Sequence, residues 1–199
     1  MMSKSPQEIV LASASPRRQA LLAQVGIDCR IIPSQVDEAL LPEESPEAHV
    51  MRLSAAKAAT VARSAPQPGR WFIGSDTVVV RDETLLGKPA DAMEAKEMLA
   101  SLSGRSHRVI SGYAVIDRDT DRRRHGAVTT RVFFKDLTTP EIDGYIATGE
   151  PFDKAGAYAI QGIGAFMVPK IEGSYTNVVG LPLCEVLAAL AELGAPTLF

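Results

Sequence analysis

Asp76 stands in the run WFIGSDTVVV, directly after Gly74 and Ser75 and before Thr77 and three valines. A carboxylate in so apolar a stretch must be paired, bound to a metal or turned toward a solvent-filled cleft, because uncompensated burial disfavours its charged form. A cleft or metal role and a structural turn or cap both fit that local pattern, and Thr77 also fits a β-former with a satisfied hydroxyl. Arg17 and Arg18 follow Ser13, Ser15 and Pro16 at the entrance to an expected helix. Free N–H groups of a helix start, together with bidentate guanidinium forks, suit an oligophosphate. Two cations there oppose the helix dipole, and a bound anion would offset that; a surface pair of arginines is the plain alternative.

Lys57 lies in an Ala-rich helical stretch and Lys88 in the GKP sequence after the Asp76 strand. Each fits a snorkelling surface lysine, and both fit phosphate if their elements border one cleft. Asp37 and Glu38 read as loop acids, or, with Asp76, as hard oxygen ligands for Mg2+ or Mn2+. Several signatures are missing: LLGKPADA lacks the GxxxxGK[ST] spacing, the GIG of QGIGAF has no strand-turn-helix context, and no HExxH or GxSxG occurs.

These residues need elements to hold them. Ile9 to Ala12 predicts a short buried strand, and SPRRQALLAQVG a helix stopped by Gly26. CRIIPSQVDE predicts a second strand and a loop, and SPEAHVMRLSAAKAATVARSAP a longer helix with Ser45 as N-cap and Pro46 in its first turn. PQPGR predicts a turn. WFIGSDTVVV is expected as a strand interrupted at residues 74–77, RDETLLGKP as a loop and DAMEAKEMLASLSG as a helix. RVISGYAVIDR and AVTTRVFFKDL predict paired strands, with Arg122, Arg123 and Arg124 at a solvated hairpin tip. TPEIDGYIATG predicts a helix capped by Thr139. The Gly- and Pro-rich run after Gly149 predicts strands joined by close turns, and VLAALAEL a closing helix before Gly194.

The 199 residues, 46% hydrophobic and 23% charged, suit a folded globular chain and exclude a disordered or collagen-like one. A net charge of −3 gives no global attraction to nucleic acid or to an anionic membrane, although a local cationic pocket is compatible with it. Cys29 and Cys184 lack CxxC spacing and are expected as buried thiols in a reducing compartment. Arg17 and Arg18 arrive before any signal-like apolar run develops, and no 18 apolar residues run together, so a cytoplasmic location is expected. With no repeat or linker, residues 1–199 are expected to form a single mixed α/β domain of two interdependent lobes meeting at a cleft.

LASASPRRQALLAQVG, VDE at residues 36–38, IGSDTVVV, GKP and GEPFDKAGAYAIQGIGAFMVPKIEGSYTNVVGLPL occur in one order along nearly the whole chain. In these blocks the sequence resembles the Maf family of nucleotide pyrophosphatases, in its dTTP/UTP branch. The resemblance implies an α/β fold of the Maf and inosine-triphosphatase kind, with a twisted mixed sheet, flanking helices and two lobes around a central cleft. It implies hydrolysis of a nucleoside triphosphate between the α and β phosphorus atoms, with Asp76 as catalytic base. It further implies phosphate binding by Ser13, Arg17, Arg18, Lys57 and Lys88, a divalent cation (Mg2+ or Mn2+) at Glu38 and Asp76, and base selection by Arg17, Thr77 and Gln161. The 7-methyl-GTP branch carries an EG-like pair where this chain has Gln161-Gly162. A homodimer without nucleic-acid or membrane partners is also implied. The alternatives are the same chemistry on another base, and a nucleotide sensor without turnover.

Overall fold

Three buried apolar residues, Ile9–Leu11, form strand β1, and Ser15 then turns the chain into helix α1, Pro16–Gln24. The Ser15 side chain caps the Arg18 N–H, and Pro16 loses no bond because a first-turn N–H has no helical partner. Leu21 and Leu22 are the buried face of α1, and Gly26, at φ +74°, ends it in the left-handed region that glycine enters freely. The computed structural model describes residues 8–64 and 69–197. The expected PQPGR turn falls at Pro66, Gln67 and Pro68 outside the described residues, as do the first seven residues of the amino-terminal segment.

The next elements are β2 (Arg30–Ile31), α2 (Pro46–Arg63), β3 (Trp71–Arg81), β4 (Thr84–Leu86), α3 (Ala92–Leu102), β5 (Ser106–Asp117) and β6 (Arg122–Phe133). They are followed by α4 (Thr139–Ala147), β7 (Lys170–Glu172), α5 (Tyr175–Val179) and α6 (Leu183–Glu192). The seven strands form a mixed sheet in the order β2-β1-β3-β5-β6-β7, with β4 on β3. β1 runs parallel to β2 and β3, whereas β4 is antiparallel to β3 and β7 to β6. This is the mixed α/β architecture, a central sheet flanked by helices, that the resemblance implied.

Several local expectations are corrected. β3 is continuous through Gly74–Thr77, because extended backbone tolerates small polar residues when their groups are bonded. RDETLLGKP contains a strand, β4. Arg122, Arg123 and Arg124 lie within β6 and not at the tip; Arg122 and Arg124 bond to Glu192, while Arg123 pairs with Asp121. The cap of α4 is Thr138, one residue before the expected Thr139: its hydroxyl accepts the Glu141 N–H and the Glu141 carboxylate accepts the Thr138 N–H. After Gly149 the chain forms three short 3-10 segments, Glu150–Asp153, Ala155–Ala157 and Gly162–Met167, with β7 as the only described strand among them. Cys29 is buried, but Cys184 is exposed near the start of α6.

The chain divides into two compact units. One takes in the chain as far as Asp76, Ser111–Val128, and the segment from Gly180 onward; the other is Thr77–Ile110 with Thr129–Val179. In the first unit, Val10 and Phe72 of the sheet pack with Ala58 and Val61 of α2 and Ala114 and Ile116 of β5. In the second, Leu99 and Leu102 of α3 pack with Ile142 and Tyr145 of α4, Val109, Val132 and Met167.

Candidate active site

The first unit brings α2 unusually close to two strands. A Cβ on Gly74 would stand 2.1 Å from the Ser54 carbonyl oxygen and 2.8 Å from the Ala58 nitrogen. A Cβ on Gly112 of β5 would stand 2.2 Å from the Val50 carbonyl oxygen. Only glycine at both positions permits that approach. Residues i and i+2 of a strand share a face, so Asp76 is presented on the same side of β3 as Gly74, toward the helix that carries Lys57.

The outcome is a buried cation between two acids. Lys57 Nζ lies 2.7 Å from Asp76 Oδ1 and 2.6 Å from Glu38 Oε1. Lys57 and Asp76 are buried, whereas the Glu38 side chain is 59% exposed and reaches Lys57 from the loop. Lys57 is therefore no surface lysine. Its charge is compensated where the helix meets the strand.

Arg18 forms a second knot. Its Nε donates to the Gly180 carbonyl at 2.7 Å, and its Nη1 donates to Ser13 Oγ at 3.1 Å and to the Ser75 carbonyl at 2.9 Å. Burial pushes the Arg18 pKa down and the neighbouring charge of Arg17 does the same, while Asp76 and Glu38 oppose them. The guanidinium thus belongs electrically to the same site as the two acids. The Ser75 hydroxyl donates toward the carbonyls of Gly112 and Gly180, at 2.8 and 3.1 Å. Ser13 Oγ also accepts from the Ser15 N–H at 3.2 Å. Serine hydroxyls, arginine nitrogens and a helix N-terminus gathered beside a Lys-bridged acid pair are chemically suited to an oligophosphate.

Of the residues expected at the site, Ser13, Arg18, Glu38, Lys57 and Asp76 meet in these two knots. Arg17 is half-buried on the first turn of α1 next to Arg18. Thr77 and Gln161, both half-buried, and the exposed Lys88 belong to the second unit. The close-approach role of Gly74 and Gly112 and the carbonyl of Gly180 carried no expectation. A lone glycine inside an apolar strand was the available signal for the first two. His107 is a core residue of the second unit, with Nε2 2.7 Å from the Tyr158 hydroxyl and Phe134 edge-on, and burial lowers its pKa to about 4.

Among the described residues no three His, Cys, Asp or Glu side chains gather into a metal-holding cluster. Asp76 and Glu38, converging on one ammonium, nevertheless fit a cation of the Mg2+ kind. Such an ion is commonly held by one or two carboxylates, with substrate phosphates and water completing its shell.

The family model described as Maf-like protein matches residues 8–193. This chain belongs to the Maf-like family. The Maf-like chain is 64% identical to the dTTP/UTP pyrophosphatase of Syntrophotalea carbinolica, over 99% of this chain and 91% of that protein. It is 55% identical to the dTTP/UTP pyrophosphatase of Geotalea uraniireducens, over 98% and 99% of the two chains. The dTTP/UTP pyrophosphatase of Geobacter sulfurreducens is 54% identical over 94% of this Maf-like chain.

Proposed function

We propose that this Maf-like protein hydrolyses dTTP and UTP to the nucleoside monophosphate and pyrophosphate. The observation that carries the reading is 64% identity, over 99% of this chain and 91% of the relative, to a protein bearing that activity in its name. The Lys57-bridged acids and the Arg18 knot supply matching chemistry. Water attacks the α phosphorus, the bond from that phosphorus to the bridging oxygen breaks, and pyrophosphate departs with the electron pair. Asp76 takes the proton from the water as the new bond forms. Lys57, Arg17, Arg18 and Lys88 offset charge on the phosphates, and Ser13 donates to a phosphate oxygen. Asp76 and Glu38 would hold a divalent cation, Mg2+ or Mn2+, which when bound acidifies water and screens phosphate charge.

Base choice falls to Gln161, with Arg17 and Thr77. A glutamine amide offers one donor and one acceptor group to the paired polar edge of uracil or thymine, whereas phosphate contacts read no base. A homodimer in the cytoplasm, with the two units acting as interdependent lobes, completes the reading. Among the described residues no helix is long and apolar enough to cross a membrane.

The test is pyrophosphate release from dTTP, UTP, CTP, dGTP and 7-methyl-GTP, with and without Mg2+ or Mn2+. Release confined to dTTP and UTP is expected. Stoichiometric nucleotide binding without release would replace the enzyme with a sensor. Sedimentation checks the dimer, and cell fractionation the location.

A further inference from the structure

Gln161 sits in a short segment of the second unit whose two ends are fastened to the same pair of side chains. Tyr145, on α4 and 2% exposed, donates its hydroxyl to Glu150 Oε1 at 2.9 Å and accepts the Ala159 N–H at 3.3 Å. Glu150 Oε1 also accepts the Gly164 N–H, and Oε2 accepts the Ile163 N–H, each at 3.1 Å. One phenol and one carboxylate thereby anchor residues 159, 163 and 164, and bracket residues 160–162, with Gln161 in the middle.

Two glycines that follow Gln161 fit the anchors closely. Gly162 has φ +77°, and a Cβ there would meet Glu150 Oε2 at 2.7 Å. A Cβ on Gly164 would meet the Ala159 carbonyl oxygen at 2.5 Å and the Tyr145 hydroxyl oxygen at 2.8 Å. Lys154 Nζ donates to the Glu150 carbonyl at 2.7 Å, tying the acid's own backbone. A carboxylate accepting two backbone N–H groups and a phenol makes strong, charge-assisted bonds. A phenol has the one donor and the acceptor capacity used here.

We propose that Tyr145 and Glu150 are positioning residues for base selection, fixing the backbone on both sides of Gln161 so that its amide meets the pyrimidine edge in one orientation. This rests on Gln161 being the base-selecting residue. A donor and acceptor pair discriminates only when both atoms are in register with the base, so loosening the span degrades choice before it degrades chemistry.

The test measures kcat and KM for dTTP, UTP and CTP in the parent, Y145F, E150Q, E150A, Q161A and the double variant E150A/Q161A. Y145F and E150A are expected to lower the dTTP-to-CTP ratio of kcat/KM about tenfold, mainly through KM for dTTP, with kcat within about threefold of the parent. E150Q should fall between parent and E150A, because its amide oxygen still accepts but its NH2 faces a backbone donor. E150A should add nothing to the ratio in the Q161A background. Equal losses on all three substrates, or additive losses in the double variant, overturn the inference. A lowered ratio in Q161A alone, with Y145F and E150A at the parent ratio, refutes the positioning role only. A Q161A ratio equal to the parent's refutes the Gln161 reading, and the inference with it. Y145F keeps the ring and its packing, so it carries the test if E150A does not fold.

Discussion

Lys57 compensates two acids at once, and the three side chains are unequally replaceable for that reason. Asp76→Asn leaves the ammonium on Glu38 at 2.6 Å. Lys57→Met leaves the buried Asp76 carboxylate without the cation now 2.7 Å from it. Breaking a buried pair by removing one partner is costly chiefly when the charge left behind stays buried. Urea unfolding should therefore show Lys57→Met less stable than the parent by about 3 kcal/mol. Asp76→Asn should lose clearly less stability. Pyrophosphate release should fall in Asp76→Asn by about a thousandfold, the scale on which a positioned proton acceptor contributes. An Asp76→Asn protein that unfolds before Lys57→Met, or that retains full turnover with saturating metal, contradicts these roles. Asp76 was legible because a carboxylate among β-formers demands a partner. Its partner was not legible: Lys57 lies 19 positions away, and its small neighbours are as common on an exposed helix as on one pressed against a sheet.

At the scale of elements, the approach of α2 to β3 and β5 depends on two absent side chains. Gly74→Ala and Gly112→Ala should each cost stability, by about 1–3 kcal/mol, as inserted methyl groups do in packed interiors. Gly74→Ala should also impair turnover at temperatures where the protein is still folded, because moving α2 moves Lys57 off Asp76. Equal turnover per folded molecule in parent and variant would show that the register of α2 is not critical. The loop before α2 is held by another pairing. Arg52 donates to both Glu44 oxygens, at 2.6 and 2.7 Å, and to the Ala39 carbonyl at 2.9 Å, next to Glu38. Hydrogen bonding to Arg52 lowers the Glu44 pKa from 4.5 to about 2, with His49 and the Leu41 N–H adding to it against desolvation. A depressed acid contributes stability that is complete above its unfolded value and lost as pH falls through its folded one. Glu44→Gln should therefore flatten the fall in melting temperature between pH 4.5 and pH 2, and an unchanged acid slope would remove Glu44 from that window. Helix starts were legible from short-range chemistry, as at Ser15, Ser45 and Asp91, whose side chains cap N–H groups three residues on. Arg122–Arg124 were misplaced because charge alone does not distinguish a loop from an exposed stretch of strand. The segment after Gly149 was misread for a related reason: glycine spacing announces turns without saying what lies between them.

For the whole molecule, the chain crosses between its units four times, after Asp76, Ile110, Val128 and Val179. Neither unit is a contiguous stretch of sequence, which is why no linker was visible. The first unit is finished only by its last portion: Leu181, Val186 and Leu190 are buried, the Trp71 indole N–H donates to the Leu193 carbonyl at 3.1 Å, and the Gly180 carbonyl receives Arg18 and Ser75. Truncation after Val179 should abolish both cooperative unfolding and pyrophosphate release, measured by circular dichroism and by the assay above. A truncated chain that retains turnover would mean that the Arg18 knot forms without its last acceptor. The position of Gly180 also sets a timetable. While the protein is being made, the carbonyl that receives both Arg18 and Ser75 is added after every other residue of the site. The Arg18 knot therefore cannot close on the nascent chain until translation has passed Gly180.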